Sequence, residues 1–579
     1  MTAVPMPPRL PRALPDLPIV VLGALAAAAL AYLARSMTFW QDEWGFISFA
    51  GGPPDLLRPQ NEHWQTIPLL LYRATFTVFG LHSYLPYLAE VIALHLVSVA
   101  GAYVLMRRRA GRIAATLACI PLLVLGSGSE NLFWAFQTAF IGSVAFGLWA
   151  LVLLETRIAG TPGRVATAGA AVLLVASLMS SGIGLAFLAA AFGRTILDRE
   201  IRPRAWAVVP PTVVFLAWYL VLGHTAESGP GHLASASALP GFVVRGIGHA
   251  VGAFTGLAVA PRGELLAFGA FGVAFLVTAW AVLTIRRPPA LAAGALLAIG
   301  AMYLIIGLVR AQFPSDFATR SRYVYVAAFL LVISVADWLP PLRDRARGPQ
   351  ARAALAIGLA LVLVAATVAN AASLQTIRAR FQADADLTRA YIELAMTHQN
   401  EPWIDPASVL PGMPSLPDLV AIVRRSGSPT HDDLFPAVVR DPGARAREAA
   451  LLRMTGSGFR AERGSRAAPP LPVTITSSTD VAISTGEPCL SVTDAGKDAA
   501  VSVSVPTGSR IRLTASNDVV GRALLGLALP PSRTIDIAMP AATPLDIVVP
   551  DVGDESIWTV RVAVPDATGT IQICRVEGL

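Results

Sequence analysis

The chain has 579 residues and a mass of 60.8 kDa, with 54% of its residues from the apolar set AVILMFWYC, 14% charged and a mean hydropathy of +0.59. Soluble domains carry about 25% charged residues, so an ordinary cytosolic or disordered protein is excluded, and several uncharged apolar runs long enough to cross a bilayer mark a polytopic membrane protein. The formal charge of +7 comes from arginines scattered through short loops, Lys497 being the only lysine, which is the distribution of a membrane topology and not of a nucleic-acid surface.

An N-terminal segment with Arg9 and Arg12 leads into an apolar run at about Leu17 to Ala34. It is taken as the first crossing and not a signal peptide, because no small-residue cleavage site followed by a soluble domain is seen. Further crossings are predicted at about Tyr84 to Met106, Ile113 to Leu125, Ala139 to Leu154, Val165 to Met179, Ile183 to Ile196 and Ala205 to Leu222. The last four run at about Leu265 to Thr284, Ala290 to Val309, Tyr323 to Leu339 and Ala353 to Ala372, which makes about eleven transmembrane helices in all. Ile67 to Gly80 is short, and Gly241 to Ala260 is rich in glycine, so both are read as helices lying at the membrane surface or re-entering it. Loops placed inside hold eighteen arginines and those placed outside eight. That bias puts the N-terminus in the cytoplasm and everything after residue 372 outside a bacterial plasma membrane.

Residues 1–372 are thus a transmembrane domain and 373–470, richer in Arg, Asp, Glu and Pro, a connector of mixed helix and loop. From Leu471 to the end, alternation as in "PVTITSSTDVAIS" and "IWTVRVAVP", broken by turn residues, predicts a β-sandwich. Three cysteines are too few for a disulfide scaffold. Cys489 and Cys574 both fall in the sandwich on the oxidising side, where they are candidates for a disulfide, and Cys119 is a packing residue of a membrane helix.

The most informative stretch follows the first crossing, "MTFWQDEWGF". Asp42 and Glu43 between Trp40 and Trp44 either hold a divalent ion, act as a general base on an incoming hydroxyl, or are solvated loop acids beneath an aromatic belt. About twenty residues later come Asn61, Glu62, His63 and Trp64, where His63 either joins Glu62 at a metal, meets a phosphate when protonated, or is an interfacial hydrogen-bonding histidine. "GSGSENLFWAFQTAF" sets Glu130, Asn131, Trp134 and Gln137 on the outer side, the last three at a spacing that places them near one helical face, suited to sugar hydroxyls and ring stacking or to capping and anchoring. "RAQFPSDFATRSRYVYV" sets Arg310, Asp316, Arg320, Arg322 and Tyr323 before the tenth crossing. Arginine forks suit a phosphodiester, and external arginines oppose the topological bias; lipid headgroups and Asp316 are the other partners they could serve. Glu90 and His95 inside the second crossing are read as paired within the bundle, with a proton path in a transporter as the alternative.

This arrangement resembles the GT-C class of polyprenyl-phosphate-sugar-dependent glycosyltransferases, in particular the bacterial relatives of protein O-mannosyltransferase and aminoarabinose transferase. An acidic pair just after the first crossing, a polar cluster some twenty residues on and an interfacial helix ending in Phe-Gly match Asp42-Glu43, the Asn61 to Trp64 cluster and Ile67 to Phe79-Gly80. The resemblance covers about residues 17 to 110 in detail, and the family's basic-proline motif is missing at Asn61 to Trp64. It implies a sugar donor linked to a polyprenyl phosphate, an acceptor on an envelope glycan, lipid or protein, and a catalytic role for Asp42 supported by Glu43, with a divalent ion at Asp42, Glu43 and His63 as an optional cofactor. A transporter or flippase of lipid-linked sugars, and a noncatalytic envelope-assembly protein anchored by its bundle, stay open beside it; the absence of an internal repeat and the clustering of polar groups at one interface weigh against transport.

Overall fold

The computed structural model describes residues 16–49, 56–60, 62–156, 163–226, 236–311, 315–401, 404, 409–431, 434–438, 440–455, 459–464, 469–486, 488–493, 495–526, 533–551 and 557–576. Arg9, Arg12, Asn61 and Arg157 lie outside them. Helices run in chain order α1 (Leu17–Ala34), α2 (Glu43–Phe49), α3 (Thr66–Phe79), α4 (Leu85–Ala110), α5 (Arg112–Leu123), α6 (Glu130–Phe133), α7 (Thr138–Leu154), α8 (Gly163–Leu178) and α9 (Gly184–Leu197). They continue with α10 (Val209–Val221), α11 (Leu239–Thr255), α12 (Gly263–Thr284), α13 (Ala290–Arg310), α14 (Ser321–Val335), α15 (Leu339–Arg345), α16 (Pro349–His398), α17 (Leu416–Ser426) and α18 (Ala444–Met454). The chain divides into two compact units: residues 1–37, 49–79 and 84–381, and residues 38–48, 80–83 and 382–579.

The first unit is the membrane bundle of a multi-pass protein. Among the described residues seven helices are long and apolar enough to cross a membrane, and α14 with α15, bent by 42°, makes an eighth. The remaining predicted crossings fall on the shorter apolar helices α5, α8 and α9. Every predicted crossing therefore coincides with a helix, because an apolar run in lipid must satisfy its own backbone polar groups and an α-helix does so. The glycines predicted to make Gly241 to Ala260 a surface or re-entrant segment have a packing reason: α11 lies against α12, α13 and α14, and a Cβ on Gly246 would come within 2.4 Å of the Tyr303 ring. Small residues let helix backbones approach this closely. The helix of the last crossing continues past 372, since α16 is one unbroken helix of 50 residues through that point.

At the end of the bundle where α4 and α7 finish, charges are buried as a closed set. Glu155 accepts from Arg109 (3.0 Å) and Arg194 (3.1 Å). Asp337 accepts from Arg109 (2.5 Å) and from the Leu291 and Ala292 amides (2.8 and 3.1 Å), which caps α13. Burial alone would raise the Glu155 carboxyl, but Arg109 and Arg194 more than offset it and hold it below its ordinary value.

The second unit ends in the sandwich. Its strands are β1 (Arg460–Arg463), β2 (Pro470–Leu471), β3 (Thr474–Thr479), β4 (Ala482–Gly486), β5 (Cys489–Thr493), β6 (Ala500–Pro506), β7 (Arg510–Ala515), β8 (Val519–Gly526), β9 (Arg533–Met539), β10 (Leu545–Val548), β11 (Ile557–Ala563) and β12 (Ile571–Val576). One sheet has the order β1-β10-β7-β12-β5-β4 with β2 beside β12, and the other β3-β6-β11-β8-β9. All pairings are antiparallel. Val503, Val505, Ile511, Leu513, Trp558 and Val560 fill the space between the sheets. Cys489 on β5 and Cys574 on β12 form a disulfide. The sandwich begins earlier than the alternation suggested: β1, "RAER", pairs with β10 at the sheet edge. A charged edge strand has no apolar alternation to read, and its charges discourage further pairing.

Candidate functional site

The other end of the bundle gathers the predicted polar residues. α13 finishes with Arg310, a turn carries Phe317, and α14 starts just after Arg320, so a short stretch of chain points its arginines at one place. Arg310 pairs with Glu62 (2.8 Å) and Arg322 with Glu130 (2.9 Å). The Arg310 and Arg320 guanidinium carbons lie 5.8 and 5.4 Å from the centre of the Phe317 ring, and that of Arg322 lies 5.7 Å from Trp134. Arg245 adds a pair with Asp316. Three of the four arginines thus pair with Glu62, Glu130 and Asp316. Among the described residues no carboxylate pairs with Arg320, which is exposed, so the cluster keeps one positive charge in excess.

Glu62 sits at φ +69° in a turn closed by reciprocal Gln60 and His63 backbone hydrogen bonds of 2.9 and 2.8 Å. The turn delivers Glu62 to Arg310 and lays the His63 ring edge-on to Phe140 at 6.0 Å, over Gly182, where a Cβ would come 3.0 Å from Nδ1. Gly182 belongs to the tight "SSGIG" turn between α8 and α9, now seen as a wall of the site. The next residue, Trp64, stacks on Trp218 at 5.1 Å and anchors the loop. Burial, with Arg310 and Arg322 nearby, lowers His63 to about 4. It is neutral near pH 7, so the protonated ring that a phosphate contact would need is not present there.

Asn131, Trp134 and Gln137 do not share one helical face. α6 ends at Phe133, Trp134 is extended (φ −125°, ψ 113°), and a 3-10 turn takes over at Ala135–Gln137. The cause is Tyr84, whose hydroxyl accepts the Ala135 amide (2.8 Å) that would otherwise prolong the helix. Asn131 donates to the Arg322 carbonyl (3.1 Å), and the Glu130 amide donates to Ser321 Oγ (3.0 Å), locking this segment onto the start of α14. Trp134 is buried under Arg322 and stacked on Phe136 at 5.2 Å, so it supports the arginine and offers no open ring to a sugar. Gln137 is buried, and among the described residues neither of its amide atoms has a hydrogen-bond partner. Phe317 and Tyr84 were not singled out in the sequence; an aromatic between closely spaced arginines is the signal that would have found Phe317.

Asp42 and Glu43 belong to the second unit. Glu43 is fully buried, and its Oε2 accepts the Trp40 amide at 2.6 Å, tying down the start of α2. Asp42 is partly exposed, and its carbonyl accepts the Gly45 amide (3.1 Å). Among the described residues no three His, Cys, Asp or Glu side chains form a group able to hold a metal ion. Asp42, Glu43 and His63 therefore do not form such a group, and the Glu43 carboxylate is engaged by the Trp40 amide.

Fold and site together define a polytopic helical membrane protein with an arginine-rich polar centre at one end of its bundle and a β-sandwich at its C-terminus. No protein-family model matches the chain, and no curated protein resembles it in sequence. Among solved structures it is similar to ArnT from Cupriavidus metallidurans bound to undecaprenyl phosphate (15% identity, 69% of this chain and 84% of that one, TM-score 0.42). It is also similar to the Archaeoglobus fulgidus oligosaccharyltransferase in the apo form (9%, 97% of both chains, 0.42). A third is the oligosaccharyltransferase AglB of the same archaeon with an inhibitory peptide and a dolichol-phosphate (14%, 66% of this chain and 58% of that one, 0.37).

Proposed function

We propose that the protein is an integral-membrane glycosyltransferase that moves a sugar from a polyprenyl-phosphate donor to a hydroxyl of a cell-envelope glycan, lipid or protein at the external membrane face. The acceptor oxygen attacks the anomeric carbon, the bond from that carbon to the phosphate oxygen breaks, and the electron pair leaves with the polyprenyl phosphate. The acceptor proton passes to Asp42 as general base. The phosphate gains a negative charge in this step, and preorganised donors aimed at developing charge are what lower such a barrier.

The observation that carries the reading is the arginine cluster with one charge in excess: Arg310 and Arg322 are oriented by Glu62 and Glu130, and Arg320 is left over for an anion. A phosphodiester carries one negative charge and suits that surplus. Neutral His63 and the buried amide of Gln137 suit hydroxyl groups better than phosphate. A lipid-linked donor also accounts for a catalyst built from membrane helices. The test is a mass-spectrometric profile of envelope glycans and polyprenyl-phosphate sugars in a deletion strain complemented with wild type, Arg320→Ala or Asp42→Asn at matched protein levels. Accumulation of a lipid-phosphate sugar with loss of one glycan modification in both variants supports the reading, and full restoration by both overturns it.

A further inference from the structure

In the second unit, Leu410 to Met413 forms a turn closed by the Met413 amide on the Leu410 carbonyl (3.0 Å), with Gly412 at φ +81°. Proline at the second position, here Pro411, and a positive-φ glycine at the third are the residues of a type II turn. Gly412 rests directly on the backbone of Gln41. A Cβ there would come within 2.6 Å of the Gln41 carbonyl carbon and 2.7 Å of its Cα and O, and backbone atoms cannot swing aside as a flexible side chain would.

Gln41 is itself at φ +45°, a conformation that a residue with a side chain keeps only where its surroundings impose it. The residue after it is Asp42. From the other side Glu43 Oε2 holds the Trp40 amide, and the Trp44 amide bonds the Gln41 carbonyl (3.1 Å). The backbone that carries Asp42 is therefore fixed by its own hydrogen bonds on one side and by the Pro-Gly turn on the other.

We infer that Gly412 is a positioning residue for Asp42: the turn at 410–413 presses on Gln41 and sets the direction in which the Asp42 carboxylate leaves the chain. The C-terminal unit then contributes to the chemical step and is more than an appended module. This rests on the reading of Asp42 as the base.

The test uses the full-length protein in detergent and in the complemented deletion strain. Gly412→Ala is compared with Gly443→Ala, which has a similar φ of +80° in the same unit but nothing within 4 Å of its Cβ position. Amide exchange over residues 39–45 is expected to quicken about tenfold in Gly412→Ala and to stay unchanged in Gly443→Ala. With membranes supplied with the lipid extract of the deletion strain as donor, the maximal rate falls by roughly 100-fold, as for a catalytic group misplaced by an ångström, while the half-saturating donor amount holds. Should Gly412→Ala not accumulate, Pro411→Ala loosens the turn without adding an atom and is expected to move both readouts in the same direction by less. Unchanged exchange over 39–45 overturns the inference. Quickened exchange with full transfer in both Gly412→Ala and Asp42→Asn overturns instead the assignment of Asp42 as the base, and with it the catalytic meaning of the turn.

Discussion

Where α4, α7 and α14 finish or are followed by Glu155 and Asp337, Arg108, Arg109 and Arg194 meet Glu155, Asp198 and Asp337, and spare carboxylate oxygen goes to the amides that open α13. At the opposite end of the same helices Arg245, Arg310 and Arg322 pair with Asp316, Glu62 and Glu130, and Arg320 lies beside Arg310 over the Phe317 ring. Both ends use arginine, whose planar fork takes a carboxylate and a phosphate equally well. The first end is balanced by protein groups throughout, its fourth arginine, Arg204, donating to the Leu153, Leu154 and Thr156 carbonyls around Glu155, and it ties helices together. The unbalanced end is left with a cation in search of an anion, and that imbalance separates a structural network from a candidate binding centre.

The strongest way to break this contrast is Glu155→Gln. Removing one member of a buried ion pair leaves its partners uncompensated, at a cost of about 3–5 kcal/mol. A large drop in the unfolding temperature of the purified protein is expected, and an unchanged one would show that the balanced end is not a structural latch. Arg320→Ala should do the reverse: thermal stability holds, while transfer falls by about 100-fold, the size typical of losing one donor to developing charge. Equal losses of stability from both substitutions would erase the distinction.

The two ends should also differ toward acid. His63 titrates near 6.5 when unfolded and is held at about 4 in the fold, so the folded state resists a proton that the unfolded chain accepts. Its contribution is fully present above pH 6.5 and is lost as pH falls toward 4, by roughly 3 kcal/mol. A His63→Gln variant should flatten the stability profile over that window, and an unaltered slope would remove His63 from the account. The smallest effect is expected in the sandwich, where Arg522 and Asp536 form an exposed cross-strand pair. Asp536→Asn should change stability by less than about 1 kcal/mol, a baseline for charge pairs that do no more than decorate a surface.

Apolar runs and alternation determined most of this architecture. A segment such as Leu17 to Ala34 or Ala290 to Val309 has no alternative to a helix in lipid, and "IWTVRVAVP" has a period that places every second residue in a core, so both elements were legible without coordinates. The arginines before α14 stood out for a similar reason, because charge at a membrane boundary is counted against a strong background. Their partners did not stand out. That Glu62 goes to Arg310 and Glu130 to Arg322, leaving Arg320 over, depends on contacts between segments up to 248 residues apart. A side-chain hydroxyl 51 residues upstream, Tyr84, breaks the helix that the spacing of Asn131, Trp134 and Gln137 suggested. Nor could the sequence show that α16 passes unbroken beyond residue 372, or that the Pro411-Gly412 turn lies on the residue before Asp42. Local pattern determines which elements form, since backbone hydrogen bonding and burial are decided within a few residues. Which charge is satisfied and which is left exposed is decided only when distant segments pack.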